Sequence, residues 1–345
     1  MTGTAVERFI AAAPKVELHL HLVGSAAPAT VVELAARSPE VGVPSSLAQL
    51  QDWFEFRDFE HFIEVYSKVN ALVRTGEDVA SLVVGSARDL AAQNVRYAEM
   101  TVTPFGHTMG GMAYADVLEG LRVGRTEAAA LGVEFAWIYD IPGQFGREAA
   151  QATLDCALDD PPDGLVGFGL AGAEQGVERS SFGWAFDRAR AAGLHSVPHA
   201  GEAAGPRSIW EALDELGAER IGHGVRAVED SGLVDRLVSE QVPLEVCPSS
   251  NVCTRVFADL ASHSIGPLRA AGAFVTINSD DPPMFSTTLN DEYLRVAETL
   301  ELDVDAVAGL VRNAVTAAFI SDERKRALVA EIDAALASTR GEGPA

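Results

Sequence analysis

The chain has 345 residues, which is enough for one large domain or for two of ordinary size. Its 48% hydrophobic and 22% charged residues are typical of a soluble globular protein, and it has no apolar run near the ~20 residues that a membrane-spanning helix needs. The formal net charge of −24 repels phosphate backbones and argues against a nucleic-acid binder, although a small-molecule pocket can differ from the average surface.

Eight short apolar or β-branched runs predict strands, and stretches with helical spacing lie between them. The predicted strands are Val16–Leu22, Val95–Thr101, Val133–Tyr139, Leu165–Leu170, His195–His199, Arg220–His223, Pro243–Val246 and Phe274–Ile277. The clearest helix follows Asp58, a predicted N-cap. A second helix follows Asp78 in the same way and should stop at Asn94.

Strands that alternate with helices indicate a parallel sheet, and eight such units in this length predict a closed (β/α)8 TIM barrel. We expect one barrel domain over residues 1–345, with a helical and loop insertion at about 38–75 that forms part of the substrate pocket. An open doubly wound sheet is the alternative. It would usually carry a glycine-rich fingerprint after the first strand, and Leu22-Val23-Gly24-Ser25 is not one.

The cysteines and the N-terminal segment indicate a cytoplasmic protein. Cys156, Cys247 and Cys253 are an odd and sparse set, so we expect reduced thiols rather than a disulfide framework. The last two lack CxxC spacing and are predicted to be buried packing residues. The apolar patch in residues 1–14 is too short for a secretory signal, so export is not expected.

Unusual polar residues cluster where barrel strands end, which is where the active sites of such barrels lie. His19 and His21 are two apart in a predicted strand, so both imidazoles face the same side. Three further motifs lie at the end of the fifth strand, at the end of the sixth and after the eighth. They are Pro198-His199-Ala200-Gly201-Glu202, Gly222-His223-Gly224 and Asn278-Ser279-Asp280-Asp281-Pro282-Pro283.

Each motif alone has an ordinary structural interpretation. His199 and His223 could be a hydrogen-bonded strand-end histidine and a turn residue, and Glu202 and Asp280-Asp281 could be helix-terminal and capping acids. Taken singly, these interpretations are about as good as the functional ones. The coincidence of all four motifs at strand ends favours a metal site.

As a set, these motifs resemble the adenosine deaminase family of the amidohydrolase superfamily. The matching segments are ELHLHLVGS (17–25), HAGE (199–202), RIGHG (220–224), PLEVCPSSN (243–251) and TINSDDP (276–282), in the family's order and over nearly the whole chain. The resemblance implies an enzyme that hydrolytically removes the 6-amino group of an adenine-type base, with one Zn²⁺ per subunit. The H-x-E and PCxxC signature of the zinc cytidine and tRNA deaminases is absent.

The resemblance also implies a role for each matching residue. His19, His21, His199 and Asp280 match the zinc ligands, Glu202 the acid that protonates purine N1, and His223 the imidazole that orients and helps deprotonate the attacking water. Asp281 matches the carboxyl that bonds N7, and Gly172 the backbone donor near N3. Zinc with nitrogen and oxygen ligands and an open position lowers the pKa of bound water to about 7. Iron, cobalt and manganese can occupy similar sites.

Two departures from the family pattern bear on the substrate. Val23 stands where these enzymes usually carry the acid that binds a ribose 5′-hydroxyl, so a hydrophobic 5′ substituent fits better. Ala173 replaces an acid found in many members, which leaves the role of Glu174 open. With HLHLVGSAAP, FRDFEHFIEVY and TVTPF, the chain most resembles the branch that converts 6-aminodeoxyfutalosine to futalosine in menaquinone biosynthesis.

That branch's substrate is an adenine nucleoside with a carboxylate-bearing aryl ketone chain at the 5′ position. Phe54 and Phe56 are predicted to line the space for this chain, and Arg57, Arg147 and Arg207 are candidates for its carboxylate, although ordinary surface exposure suits each arginine. The alternatives are an adenosine or methylthioadenosine deaminase and, more remotely, a catalytically silent zinc-binding interaction protein. The expected partners are a small nucleoside and water, and the sequence leaves the oligomeric state open.

Overall fold

A computed structural model describes residues 3–341 and shows eight parallel strands, each hydrogen-bonded to the next in chain order. The predicted (β/α)8 barrel is confirmed, and every predicted strand is present with ends that differ by three residues or fewer. The strands are β1 (Lys15–His21), β2 (Val95–Val102), β3 (Glu134–Pro142), β4 (Leu165–Ala171), β5 (His195–Ala200), β6 (Ile221–His223), β7 (Leu244–Val246) and β8 (Val275–Ile277).

Helices surround the barrel, and among residues 3–341 none is long and apolar enough to cross a membrane. They are α1 (Ala5–Ala12), α2 (Pro28–Arg37), α3 (Leu47–Trp53), α4 (Phe59–Asn70), α5 (Gly76–Ala92), α6 (Pro104–Met109), α7 (Tyr114–Ala130), α8 (Gly146–Asp159), α9 (Gly183–Ala191), α10 (Pro206–Asp214), α11 (Ser231–Glu240), α12 (Pro248–Cys253), α13 (Ile265–Ala270), α14 (Leu289–Thr299), α15 (Val304–Ala317) and α16 (Asp322–Arg340).

The two predicted helix starts differ in outcome. Asp58 caps α4 as predicted, because its carboxylate accepts a hydrogen bond from the His61 amide at 2.8 Å. The prediction for Asp78 is wrong, since Thr75 is the N-cap of α5 and Asp78 is its third residue. The two side chains form a reciprocal capping box, which satisfies two free amides at once. Asn94 follows the end of α5 with a left-handed φ of 61°.

The barrel closes where the chain just beyond β8 meets β1. The amide of His21 donates to the Asp280 carbonyl at 3.1 Å, and the Asp280 amide donates to the His19 carbonyl at 2.9 Å. Leu18 and Leu20 alternate with the two histidines and are buried in the apolar core. Closure of the barrel therefore places the Asp280 carboxylate beside both imidazoles of β1.

The segment predicted as an insertion lies between α2 and α5. It contains a 3-10 turn at Pro39–Val41 and the helices α3 and α4. Buried residues Phe62, Val65 and Val69 fix one face of α4 to the core. This packing places the remaining surface of α4 across the carboxyl end of the barrel, above the strand ends.

Candidate active site

Four imidazoles meet at the carboxyl end of the barrel. The ring centroid of His19 lies 4.5 Å from that of His199 and 4.7 Å from that of His223. The rings of His21 and His199 are 5.1 Å apart, and their Nε2 atoms are 3.2 Å apart. The structure thus brings together histidines that are up to 204 residues apart in sequence (223 − 19).

The donor atoms of this cluster suit a cation. Those of His19, His21 and His199 lie within 4.8 Å of one another. Asp280 Oδ1 is 3.2 Å from His21 Nε2 and 3.5 Å from His19 Nε2. In the part of the chain that the structure describes, the buried His19 Nε2 has no hydrogen-bond partner. Unpaired nitrogens beside a carboxylate are costly without an ion and are the donor set of a divalent metal.

The charge states of Asp280 and His199 fit a cation, whereas His19 carries an extra proton until an ion binds. Burial is outweighed there by the contacts of His19 with Asp280 and Glu245, which raise its pKa well above the usual value. Burial alone would raise the pKa of Asp280, but its contacts with His19 and His21 hold that pKa well below its usual range. Burial and the neighbouring imidazoles lower the pKa of His199 well below its usual value. An ionised carboxylate and a neutral imidazole are the forms in which these side chains ligate metals.

A buried charged group holds the ring of His19 in place. Its Nδ1 donates to Glu245 Oε2 at 2.8 Å, so Nε2 faces the cluster and offers its lone pair once an ion displaces the proton there. Arg220 bonds the other oxygen of Glu245 at 2.6 Å and also bonds the buried Glu99. The orientation of the His19 imidazole therefore depends on Arg220, which immediately precedes β6.

A chain of hydrogen bonds fixes the tautomer of His223. The Ile265 amide donates to His263 Nδ1 at 3.0 Å, and burial lowers the pKa of His263 to about 4, so its proton is on Nε2. That Nε2 donates to Asn251 Oδ1, and Asn251 Nδ2 donates to His223 Nδ1, both at 3.2 Å. Burial lowers the pKa of His223 to about 3, so its single proton is on Nε2.

Two acids beside the imidazoles are held in their protonated forms. Burial, followed by the charges of Asp280 and Glu174, raises the pKa of Glu202 well above its usual value. Its Oε2 lies 3.5 Å from His223 Nε2. Burial and the adjacent Asp280 likewise raise the pKa of Asp281. Both groups can donate a proton or a hydrogen bond into the site at neutral pH.

The role of Glu174, left open by the sequence, is clear from its contacts. Its buried carboxylate accepts hydrogen bonds from the amides of Gly201, Glu202 and Ala204 at 2.6, 3.0 and 2.7 Å. Ser208 Oγ donates to the same carboxylate at 2.6 Å. Glu174 therefore fixes the turn after β5 that presents Glu202.

We expect Glu174→Gln to lower kcat about 10–100-fold, because one acceptor oxygen becomes an NH₂ group that faces the amide donors. Metal content should not change, since the three imidazoles come from the strands. Steady-state kinetics with metal analysis measures both effects. Glu178→Gln is the matched control, because Glu178 lies on the same loop but is exposed. A kcat within threefold of the control would mean that other contacts hold the turn.

A cavity of about 430 Å³ opens beside the histidine cluster. Its inner end is formed by six polar residues of the strand ends, which are His21, His199, Glu202, His223, Asp280 and Asp281. Gly172 forms part of the wall with a left-handed φ of 81°. Gly24 contributes by its small size, because a Cβ there would overlap the Asp281 carboxylate.

Three predicted substrate-binding residues lie outside the cavity wall within the described part of the chain. Val23 is 2% exposed and its backbone interacts with the Tyr66 hydroxyl. The ring of Phe56 packs on Phe62 at 5.3 Å and is buried in the core, and the tilted ring of Phe54 lies 6.3 Å from that of Phe56. These aromatic residues support the wall from behind instead of lining it.

The three predicted arginines also lie outside the wall. Arg57 is exposed, Arg147 lies over the Trp184 ring at 4.3 Å, and Arg207 bonds Glu211 at 2.7 Å. Their alternative interpretation as surface residues agrees with these contacts. Arg74, at the end of the segment that includes α4, lines the cavity instead.

Sequence reasoning missed several residues of the wall. Asp140 lies near the carboxyl end of β3, accepts a hydrogen bond from Thr103 at 2.6 Å, and has a pKa raised to about 6 by burial. The strand-end rule that identified Glu202 would also have found Asp140. Cys247 is buried as predicted, but its sulfur lies beside the histidine cluster, and the prediction for Cys253 is wrong because that residue is only partly buried. Burial and nearby carboxylates raise the pKa of the Cys247 thiol, so it stays protonated and is a poor ligand.

Solved structures place this barrel and site in a defined class. An adenine deaminase from Arthrobacter aurescens superposes with a TM-score of 0.89 at 35% identity and covers 94% of this chain and 99% of its own. An amidohydrolase from Burkholderia ambifaria with bound Zn superposes with a TM-score of 0.88 at 26% identity and covers 99% and 96%. Fold and site together define a metal-dependent hydrolase built on a (β/α)8 barrel.

The sequence comparisons define the family. The adenosine deaminase family model matches residues 14–335. An aminodeoxyfutalosine deaminase of Streptomyces avermitilis is 50% identical over 96% of this chain and 94% of its own length. The chain therefore belongs to the adenosine deaminase family and is a hydrolytic deaminase of the amidohydrolase superfamily, as its motifs indicated.

Proposed function

We propose that this enzyme uses one zinc ion to deaminate 6-aminodeoxyfutalosine to futalosine, with release of ammonia. His19, His21, His199 and Asp280 would hold the ion, since their donor atoms converge and include the unpaired Nε2 of His19. Bound zinc would supply a Lewis acid that lowers the pKa of a water molecule. Three imidazoles and one carboxylate suit zinc, and metal analysis of the purified enzyme tests this assignment.

The protein's own residues would bind the base and move its protons. Glu202 carries a proton in its buried position and would donate it to purine N1 as electron density moves onto the ring. Asp281, also protonated, would donate a hydrogen bond to N7, and its buried Oδ1 has no hydrogen-bond partner among the described residues. Gly172 would approach the base through its backbone, as the family resemblance implies.

His223 would act as a hydrogen-bond donor. Its Nδ1 already accepts a bond from Asn251, so its Nε2 carries the proton and points between Glu202 and Asp280. In this tautomer Nε2 orients the attacking oxygen and stabilises the negative charge that develops on it. The family resemblance also implied that this imidazole helps to deprotonate water. The tautomer favours the orienting role.

The choice of nucleoside depends on the shape of the cavity. Beyond the polar inner end, the wall continues along α4, where Phe59, Phe62 and Ile63 present apolar surface. An apolar extension beside a base-binding site suits a nucleoside with an aryl chain at its 5′ end. The 50% identity to an aminodeoxyfutalosine deaminase supports the same choice, and the likeness to an adenine deaminase supplies the competing substrate.

A kinetic panel tests this proposal. We expect kcat/KM for aminodeoxyfutalosine to exceed that for adenine, adenosine and methylthioadenosine by at least 10–100-fold, since only the full substrate buries an aryl chain on the α4 wall. Loss of the 6-amino chromophore follows all four reactions in one assay. Equal or faster turnover of adenine or adenosine would contradict the proposed substrate while leaving the deaminase assignment in place.

A further inference from the structure

The outer part of the cavity lies between α4 and α6. Tyr66 marks the inner end of this region, because its ring lies 6.4 Å from that of His21. Asn70 is one helical turn further along α4, about 6 Å at 1.5 Å per residue, and donates a hydrogen bond to the Gly106 carbonyl. Arg74 follows the end of α4 and lines the same cavity. The cavity therefore runs outward from the imidazoles toward this arginine.

Charge is distributed unequally along this path. Four carboxyl groups line the cavity toward the strand ends, namely Asp140, Glu202, Asp280 and Asp281. Arg74 is the single lysine or arginine among the lining residues of the described range 3–341. His107 also lines the outer part, but it is buried with an unpartnered Nδ1 and contributes no positive charge at neutral pH. Away from the proposed metal site, Arg74 is therefore the described lining residue that can form an ion pair with an anionic group.

Two contacts hold the guanidinium of Arg74 in place, and its other N–H groups remain available to a ligand. Its Nη2 bonds Glu40 at 2.7 Å, and its Nε donates to the Ala71 carbonyl at 3.3 Å. The backbone amide of Arg74 donates to Asp78 in the cap of α5. Two of the five N–H groups of the guanidinium are used, so three can reach a ligand. Its side chain is 50% exposed, which leaves it open to an incoming substrate.

We propose that Arg74 binds the carboxylate on the aryl tail of the substrate and selects adenine nucleosides whose 5′ chain ends in an anion. This inference rests on the proposed function and adds the residue that recognises the carboxylate at the end of the 5′ substituent. A planar guanidinium can bond both oxygens of a carboxylate, with Glu40 fixing its orientation from the solvent side. In a protein of net charge −24, such a contact also offsets the repulsion that an anionic substrate meets.

Two substrates that differ in this charge, an acid and its methyl ester, test the inference. Aminodeoxyfutalosine and its methyl ester are compared with the wild-type enzyme, Arg74→Met and Arg57→Met. We expect wild type to prefer the acid over the ester about 10–100-fold in kcat/KM, mainly through KM, because a charge-assisted pair is lost in the ester. Arg74→Met should reduce the ratio of acid to ester to near 1. Arg57→Met removes an exposed arginine outside the cavity wall and should keep the wild-type ratio.

The outcomes separate this inference from the proposed function. Turnover of aminodeoxyfutalosine with an unchanged acid-to-ester ratio in Arg74→Met would overturn the role of Arg74 and leave the proposed substrate standing. Absence of aminodeoxyfutalosine turnover by the wild-type enzyme, with activity on adenine, would overturn both. Arg74→Lys adds a graded result, since a point charge without the planar fork should retain an intermediate preference.

Discussion

Glu202→Gln is expected to lower kcat about 10²–10⁴-fold, which is the usual contribution of general acid catalysis. Glutamine keeps the size of the side chain and its hydrogen bonds but has no acidic proton to transfer to the purine ring. The fold and the zinc content should persist, because Glu202 is not among the residues proposed to hold the metal. Steady-state kinetics, thermal unfolding and metal analysis on one preparation measure the three quantities.

The pH profile separates proton donation from a structural role. Burial raises the pKa of Glu202, so the protonated form dominates at neutral pH and is the active one. Wild-type kcat/KM should therefore fall as pH rises through this raised pKa. The residual activity of Glu202→Gln should lack that alkaline limb. Glu60→Gln, the same change on an exposed residue of α4, should keep both the rate and the limb.

Two results would contradict this assignment. If Glu202→Gln retained more than about a tenth of wild-type kcat, another group would have to supply the proton. If its zinc content fell in parallel with its activity, the carboxyl would act on the metal site instead of the substrate. A loss of activity with full metal content and an altered pH profile is expected only of a proton donor.

Two general properties of barrel strands made part of the site predictable from sequence: side chains alternate along a strand, and active-site residues lie at strand ends. His19 and His21 face the same way because strand residues two apart share a side. His199 lies near the end of β5, and Glu202 and Asp280 follow the ends of β5 and β8. The family motifs added their order along the chain. What neither rule contains is the strain at the centre, where His223 and Asp280 have left-handed φ values of 61° and 65°.

The contacts between distant loops were not predictable in the same way. The bond series from Ile265 through His263 and Asn251 to His223 joins residues whose neighbours in sequence give no sign of it. Glu174 lies 28 residues before Glu202, and nothing in its local sequence shows that it holds the turn. Such contacts form only when distant loops pack together in the folded protein, and local patterns in a single sequence do not indicate them.

The arginines illustrate the same limit at the substrate end. Arg57 and Arg74 lie on either side of α4 in sequence, yet only Arg74 lines the cavity. The difference arises because α4 ends at Asn70 and the chain then turns into the cap of α5. Phe54 and Phe56 were likewise predicted as lining residues but pack behind the wall. Aromatic composition alone does not distinguish a pocket surface from its support.

Arg220→Met is expected to lower the free energy of unfolding by about 3–5 kcal/mol, because it leaves two buried carboxylates without their counter-ion. Arg220 is 1% exposed and bonds both Glu99 and Glu245. Its guanidinium also donates to the Ala317 carbonyl at 2.9 Å and lies 3.9 Å from the Phe319 ring. Urea unfolding at neutral pH measures the loss.

The same variant should weaken metal binding. Glu245 holds the imidazole of His19 through its second oxygen, so the loss of Arg220 loosens the orientation of a ligand. Replacing such an outer partner of a metal-binding histidine typically costs 10–100-fold in affinity. Competition with a chromophoric chelator measures this affinity, and Arg220→Lys, which keeps one charge, should give intermediate values for both properties.

A surface cluster of the same design provides the control for Arg220. Arg236 bonds Asp214 at 2.7 Å and Glu240 at 3.0 Å, and it lies over the Trp210 ring at 5.1 Å. Both of its carboxylate partners are about half exposed, so water can replace the lost arginine and Arg236→Met should cost about 1 kcal/mol or less. Equal losses from the two variants would mean that burial adds nothing to the Arg220 cluster. A larger loss from Arg220→Met together with weaker metal binding would show that this cluster both stabilises the barrel and orients His19.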